Sequence, residues 1–245
     1  MKKLFTLPQV EVLTASKLEL YQREFEDHFK FETPLQKALI PVRNSEVRVS
    51  WQEVLDAQGS VQLGAEDLYG IHLGYGLSDG HFVPTIEFLE LIDEVPTVRG
   101  KPFISTSAGL KDIEESERAA LADNYVQQIR IRRSAGPTFE KLTSSDIIGT
   151  TFFWAGKLKD LLDANPIIET RQLVISCICA EVRKDSTVIH ENAHLVALHI
   201  AKLHEIFGHH HHIDQLSDEV VSGQPMLALR AMDYGSLCPE NCPRR

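Results

Sequence analysis

The chain has 245 residues, 43% of them hydrophobic and 24% charged, with a formal net charge of −10. That size and apolar content suit one large domain or two small lobes around a buried core and exclude wholesale disorder. The acidic balance argues against a nucleic-acid partner, and no apolar run approaches the roughly 20 residues that cross a bilayer, so no membrane partner is expected.

Along the chain, Met1-Lys2-Lys3-Leu4-Phe5 imitates the basic start of a signal peptide, but Pro8, Gln9 and Glu11 interrupt the apolar stretch. The expected location is therefore cytoplasmic. Leu18, Tyr21, Phe25 and Phe29 recur at spacings of three and four and predict a helix over 16–31. Ser50 is a plausible N-cap for a short helix over 51–57, with Glu53 in its first turn. Residues 69–77 and 81–91 read as a β-hairpin around Ser78-Asp79-Gly80, with Pro84 marking an edge or a bulge. A loop is predicted over 100–109, a surface helix over 110–123, and a strand over 125–132 that ends at Ser134-Ala135-Gly136-Pro137. The basic stretch 130–133 reads as a solvated face. A further helix over 152–164 stops at Asn165-Pro166, and an apolar strand over 173–182 leads into the polar turn Arg183-Lys184-Asp185-Ser186. Cys177 and Cys179, two apart on that strand, behave as small buried hydrophobes. Cys238 and Cys242 read as a reduced pair in a mobile tail, in a spacing that also permits metal binding or oxidation.

The order helix, apolar strand, polar turn, apolar segment occurs twice, beginning near Trp51 and near Phe153. Helix start and strand centre lie about 20 residues apart in both cases, a repeat-scale spacing. The expected architecture is α+β: one globular domain with pseudo-repeated halves 46–100 and 147–205. Its two related αββ units form a mixed or antiparallel sheet with helices packed on one face.

Tyr69-Gly70-Ile71-His72-Leu73-Gly74-Tyr75-Gly76-Leu77 is similar to the Gly-Ile-Arg-Ile-Tyr-Tyr-Gly-Leu strand of a group of bacterial proteins of unassigned activity. That group pairs the strand with an apolar partner across an Asp/Asn-Gly turn and often ends in Cys-Pro-x-x-Cys-Pro. The tail here is Cys238-Pro239-Glu240-Asn241-Cys242-Pro243. The resemblance covers about half the chain and implies a fold type without a function.

Eight of the eleven histidines fall between His190 and His212. His190-Glu191-Asn192-Ala193-His194 satisfies H-E-x-x-H, which on a helix sets two imidazoles one turn apart on a Zn²⁺ with the Glu activating the metal-bound water. Ile189, Ala193, Val196, Ile200, Leu203 and Phe207 recur at helical spacings. Asp214 lies twenty residues beyond His194, which resembles the third-ligand position of thermolysin-like zinc peptidases. Those enzymes carry Asn-Glu-x-x-Ser-Asp there, whereas Ile213-Asp214-Gln215-Leu216-Ser217-Asp218 departs at two of the four fixed positions. The competing reading places 194–203 in the second hairpin strand, with His190-Glu191-Asn192 in the loop before it. We adopt that reading, which leaves the imidazoles out of helical register. His209-His210-His211-His212 reads as an exposed polar turn that chelates divalent metals adventitiously. His72, in an apolar strand, reads as a hydrogen-bonded core or interface residue. No phosphate-binding glycine loop, dinucleotide fingerprint or nucleophile elbow is present. The expected function is non-enzymatic binding or interaction with no cofactor. The alternative is a thermolysin-like zinc hydrolase with His190, His194 and Asp214 as ligands and Glu191 as general base.

Overall fold

The computed structural model describes residues 12–13, 15–93, 95–132, 136–142, 150–155, 171–184, 187–206, 209–214, 231–232 and 236–237. In chain order the described elements are β1 (Val12–Leu13), α1 (Ala15–His28), β2 (Phe29–Glu32), β3 (Leu39–Pro41), β4 (Glu46–Ser50) and α2 (Trp51–Ser60). Next come β5 (Gly70–Gly74), β6 (Leu77–Ser78), β7 (His81–Phe82), β8 (Thr85–Ile92), β9 (Val95–Thr106), β10 (Gly109–Asp112), α3 (Glu115–Gln128) and β11 (Ile129–Arg132). The remainder are β12 (Phe139–Lys141), β13 (Thr150–Trp154), β14 (Arg171–Lys184), β15 (Thr187–Ile206), β16 (His209–Asp214), β17 (Ala231–Met232) and β18 (Ser236–Leu237).

The fold is α+β, and every ladder between these strands is antiparallel. The strands form several sheets rather than the one expected: two of six strands, one of four and one of two. One six-stranded sheet runs β1-β17-β15-β14-β4 with β16 also on β15, and the other runs β10-β9-β8-β5-β13-β18. The four-stranded sheet is ordered β12-β11-β2-β3.

Two features of this pairing recur. Helices α1 and α3 each have 14 residues and pass directly into a four-residue strand, β2 at Phe29 and β11 at Ile129. Those two strands pair with each other, Lys30 opposite Arg130 at the centre. The outer strands then cross over. β4 pairs with β14, far along the chain, while β13 pairs back with β5. Each six-stranded sheet is thereby assembled from both ends of the sequence.

Local chemistry explains the boundaries. Ser50 caps α2 as anticipated: its hydroxyl accepts from the Glu53 amide at 3.2 Å, and the Glu53 carboxylate accepts from the Ser50 amide at 2.9 Å. This reciprocal box satisfies two donors that a helix start otherwise leaves unpaired. α1 stops at His28, three residues short of the expected end, because Phe29 and Phe31 alternate inward on β2 while Lys30 and Glu32 stay half-buried. Phe25 still stacks on Phe29 with ring centroids 5.1 Å apart. The expected loop over 100–109 lies mostly inside β9, where the ladder to β8 absorbs extra residues between Ile86 and Phe88. The expected helix over 110–123 begins later, after β10, and α3 takes the first half of what had read as a strand over 125–132, the second half being strand β11. The opening of the expected helix over 152–164 is strand β13, whose Thr-Thr-Phe-Phe-Trp run suits a ladder against β5; residues 156–170 lie outside the described ones.

The core joins both sheets. Phe25, Phe29, Val49, Val54, Ile71, Leu73, Phe88, Phe153, Leu173, Ile175 and Cys177 belong to one buried cluster. α1 packs on β14, α2 against β4, β10 and β14, and α3 against β6, β9 and β12. Residues 173–179 of β14 are all buried, so this strand is covered on both faces and reads as a continuous apolar run rather than an alternating one.

The Ser78-Asp79-Gly80 turn closes β6 on β7 with Asp79 at φ 50° and Gly80 at φ 78°, the paired positive values of a type I′ turn. Its tip docks into the fold. The Gly80 carbonyl accepts from the Arg43 amide at 2.8 Å, and a Cβ at Gly80 would lie 2.7 Å from the Phe31 ring. Gly80→Ala should therefore cost about 1–3 kcal/mol of stability through positive-φ strain and displacement of Phe31. Denaturant unfolding checks this, and an unchanged midpoint would contradict the docking.

Candidate functional site

A cleft of about 520 Å³ opens where the β2–β3 hairpin meets the corner between α3 and β11. Glu32, Pro34, Lys37, Gln127, Arg130 and Lys141 are among the residues lining it. The hairpin is held locally. The Thr33 amide donates to the Ala38 carbonyl at 2.9 Å, the Lys37 amide to the Thr33 carbonyl at 3.0 Å, and the Ala38 amide to the Thr33 hydroxyl at 3.1 Å. This closure accommodates Lys37 at φ 53°. Leu35, at the hairpin tip, is 97% exposed.

Charge is unevenly distributed here. Arg130 stands directly opposite Lys141 on β12 and Lys30 on β2, so three cations form one row across three strands. Like charges directly opposite each other are destabilising and require compensation. Two sources are visible. The Arg130 guanidinium donates to the carbonyls of Gln127 at 2.7 Å and Ile129 at 2.9 Å, and the Lys30 ammonium donates to the Glu26 carbonyl, so each cation sits at the negative end of its preceding helix. The Glu32 carboxylate supplies the second, pairing through one oxygen with Arg130 and lying 3.7 Å from the Lys37 ammonium through the other. The lining thus holds three cations, Lys37, Arg130 and Lys141, against one carboxylate, Glu32, in a chain of net charge −10. Arg130 is buried, contrary to the solvated face expected for 130–133, because Glu32, distant in sequence, pairs with it. Lys37 and Lys141 are exposed and can meet a ligand.

A second polar arrangement lies in the core. His72 and Glu87 are direct partners across β5 and β8, with Nδ1 2.7 Å from Oε2 and side chains only 6% and 2% exposed. The expectation of a hydrogen-bonded core histidine at 72 is met. Arg118 on α3 feels the same carboxylate, although its own short pairing with Glu115 dominates the upward shift of its pKa. Elsewhere in the core Tyr75 stacks on Tyr125 with centroids 5.8 Å apart. Burial pushes the Tyr125 hydroxyl and the Cys177 thiol well above their ordinary ranges, and the Cys179 thiol to about 12. Both thiols are therefore protonated, and neither is a nucleophile at neutral pH.

The histidine-rich region is extended. His190, Glu191 and His194 belong to β15, with His190 opposite Val182 and His194 opposite Cys179. His190-Glu191-Asn192 is thus strand rather than the loop expected before it, and register shifts near Val182 take up the extra residues. Along a strand, positions four apart are separated by about 13 Å, against about 6 Å on a helix. Asp214 ends β16 opposite Ala201, seven residues of β15 beyond His194 or about 23 Å of strand. The backbone spreads the three supposed ligands along a ladder instead of gathering them on a helical turn. His209, His210, His211 and His212 open β16 and are not a turn after a strand. Cys238 and Cys242 lie outside the described residues. Among the described residues no group of three or more His, Cys, Asp or Glu forms a metal-holding cluster.

Compared with family models, with curated proteins and with solved structures, the chain matches none.

Two outcomes follow from the buried groups. His72→Ala removes one partner of a buried hydrogen bond to Glu87 and should lower stability by about 1–3 kcal/mol in denaturant unfolding; an unchanged midpoint would mean the pair is not formed. The raised thiol pKa values fix a sign as well. A thiol held protonated in the fold contributes stability that is complete below its unfolded pKa of about 8.5 and is lost as pH rises toward its folded value, about 12 for Cys179. Urea midpoints should fall between pH 8.5 and pH 11, and fall less steeply in the Cys177→Ala/Cys179→Ala variant.

Proposed function

We propose that this protein acts by binding rather than by catalysis, and that the cleft beside Arg130 takes a small anionic ligand bearing a carboxylate or phosphate. The observation that carries this reading is the surplus of positive charge in the cleft of an acidic chain. A concave site of this size with a few convergent polar groups suits a small ligand. Electrostatic focusing in a cleft raises the local concentration of the oppositely charged species. Arg130 serves as the fixed floor, since Glu32 and two carbonyls orient it. Lys37 and Lys141 close on the ligand from the rims. Glu32 in this reading screens Arg130 and keeps the empty cleft from being overcharged.

The same proposal extends to organisation. The halves 46–100 and 147–205 are two copies of one αββ unit whose outer strands are exchanged. The reciprocal pairing of β4 with β14 and of β13 with β5 supports this.

The test is a titration of the isotopically labelled protein with citrate and with inorganic phosphate, followed by amide chemical shifts. At least one anion should perturb residues 32–38, 127–130 and 141 saturably. Lys37→Gln/Lys141→Gln should weaken that binding at least tenfold, since each charge-assisted hydrogen bond contributes about 1.5–3 kcal/mol. Shifts scattered away from the cleft, or unchanged in the double variant, would refute the assignment.

A further inference from the structure

The four-stranded sheet β12-β11-β2-β3 has two unlike faces. Strand alternation turns Phe29, Phe31, Ile40, Ile129 and Ile131 to one side, where they join the core cluster. The other side carries Lys30, Arg130 and Lys141 in one row, and Arg132 opposite Phe139 in the next. Rows on the same face are two residues apart, about 6.6 Å along the strands. The first row reaches the cleft through Arg130 and Lys141, and the second borders it.

Phe139 stands outside the core. It belongs neither to the buried cluster nor to the half-buried residues packed against it, whereas Leu142, just beyond the same strand, does. Its half-buried ring has the Arg132 guanidinium 5.9 Å from the centroid, a cation–π contact. The backbone beneath Arg132 is fastened as well, since His28 Nδ1 donates to the Arg132 carbonyl at 2.8 Å. Aromatic rings and guanidinium planes are the side-chain surfaces on which nucleobases stack. Phe29 and Phe31 are buried on the opposite face, so among the described residues of this sheet Phe139 is the ring that stands beside the cations.

We infer that the cleft and this platform together form a site for a nucleoside monophosphate. Its phosphate lies on Lys37, Arg130 and Lys141, and its base on Phe139 and Arg132. The inference rests on the anion-binding reading of the cleft and names the class of ligand. A ribose bridges a separation of the order that divides the two rows. Stacking tolerates every base because each has a π-face, so the site selects for the presence of a base rather than for its kind. A single nucleotide also suits this molecule better than a polymer. A chain of phosphates continuing past the patch would be repelled by a protein of net charge −10.

The experiment titrates the full isotopically labelled chain with AMP, with ribose 5-phosphate and with inorganic phosphate. AMP should bind at least fivefold more tightly than ribose 5-phosphate, the least that one stacked base contributes. It should also perturb the amides of residues 131–132 and 139–140, which the other two ligands leave in place. Phe139→Leu should bring AMP down to the affinity of ribose 5-phosphate, and Phe139→Tyr should retain the preference. Circular dichroism of each variant separates loss of the platform from loss of fold. Equal affinities for AMP, ribose 5-phosphate and phosphate at the cleft would overturn the nucleotide assignment and leave the anion site standing. No binding of any of the three would remove both. A preference for AMP that survives in folded Phe139→Leu would overturn the platform, and tighter binding of a short single-stranded oligonucleotide than of AMP would overturn the proposal in favour of a polymer.

Discussion

The pairing of β2 with β11 sets the geometry on which the rest of this fold depends. Only three rungs long, it brings the end of α1 against the end of α3 and opposes Lys30 to Arg130. Two like charges face each other at the middle of a sheet, an arrangement tolerated because each cation is drawn to the carbonyl end of its own helix and Glu32 neutralises Arg130. The pairing determines where the β2–β3 hairpin lies, and therefore where the cleft opens. Charge compensation at the joint and the lining of the cleft draw on the same residues.

Polar groups elsewhere are handled differently according to depth. In the core, His72 and Glu87 satisfy each other directly, and burial keeps the Tyr125 and Cys177 side chains neutral. A buried polar group left without a partner is expensive, so a pair of this kind requires close geometry. It favours a single strand register, because a slip of one residue between β5 and β8 would send His72 and Glu87 to opposite faces. At the cleft, by contrast, the lysines remain in water and stay free to exchange partners.

What could be read from the sequence was what is decided within a few residues. The Ser50–Glu53 cap was legible because both partners lie within one helical turn, and the apolar run around Cys177 because burial on both faces writes an uninterrupted pattern. Phe25 and Phe29 were half legible: a spacing of four fits a helix, yet Phe29 and Phe31 also fit a strand, and only the opposing Ile129 and Ile131 decide between them. Thr150–Trp154 was misread because its partner, β5, stands about eighty residues earlier. The Glu32–Arg130 pair left no linear trace for the same reason. In the histidine region the helical and extended patterns coincided, since an apolar residue every third or fourth position can also lie on a strand buried from both sides. The ladder to β14 resolved it.

The exchange of outer strands also has a temporal side. β5 is buried along its whole length, yet its partner β13 begins 76 residues after Gly74, at Thr150. At a synthesis rate of about 5–20 residues per second, one edge of β5 emerges from the ribosome roughly 4–15 s before the strand that covers it. During that interval the nascent chain presents an open hydrophobic edge, the kind of surface that holdase chaperones shield and neighbouring polypeptides invade. Thermodynamic security in the finished molecule is thus coupled to a vulnerable period during its manufacture.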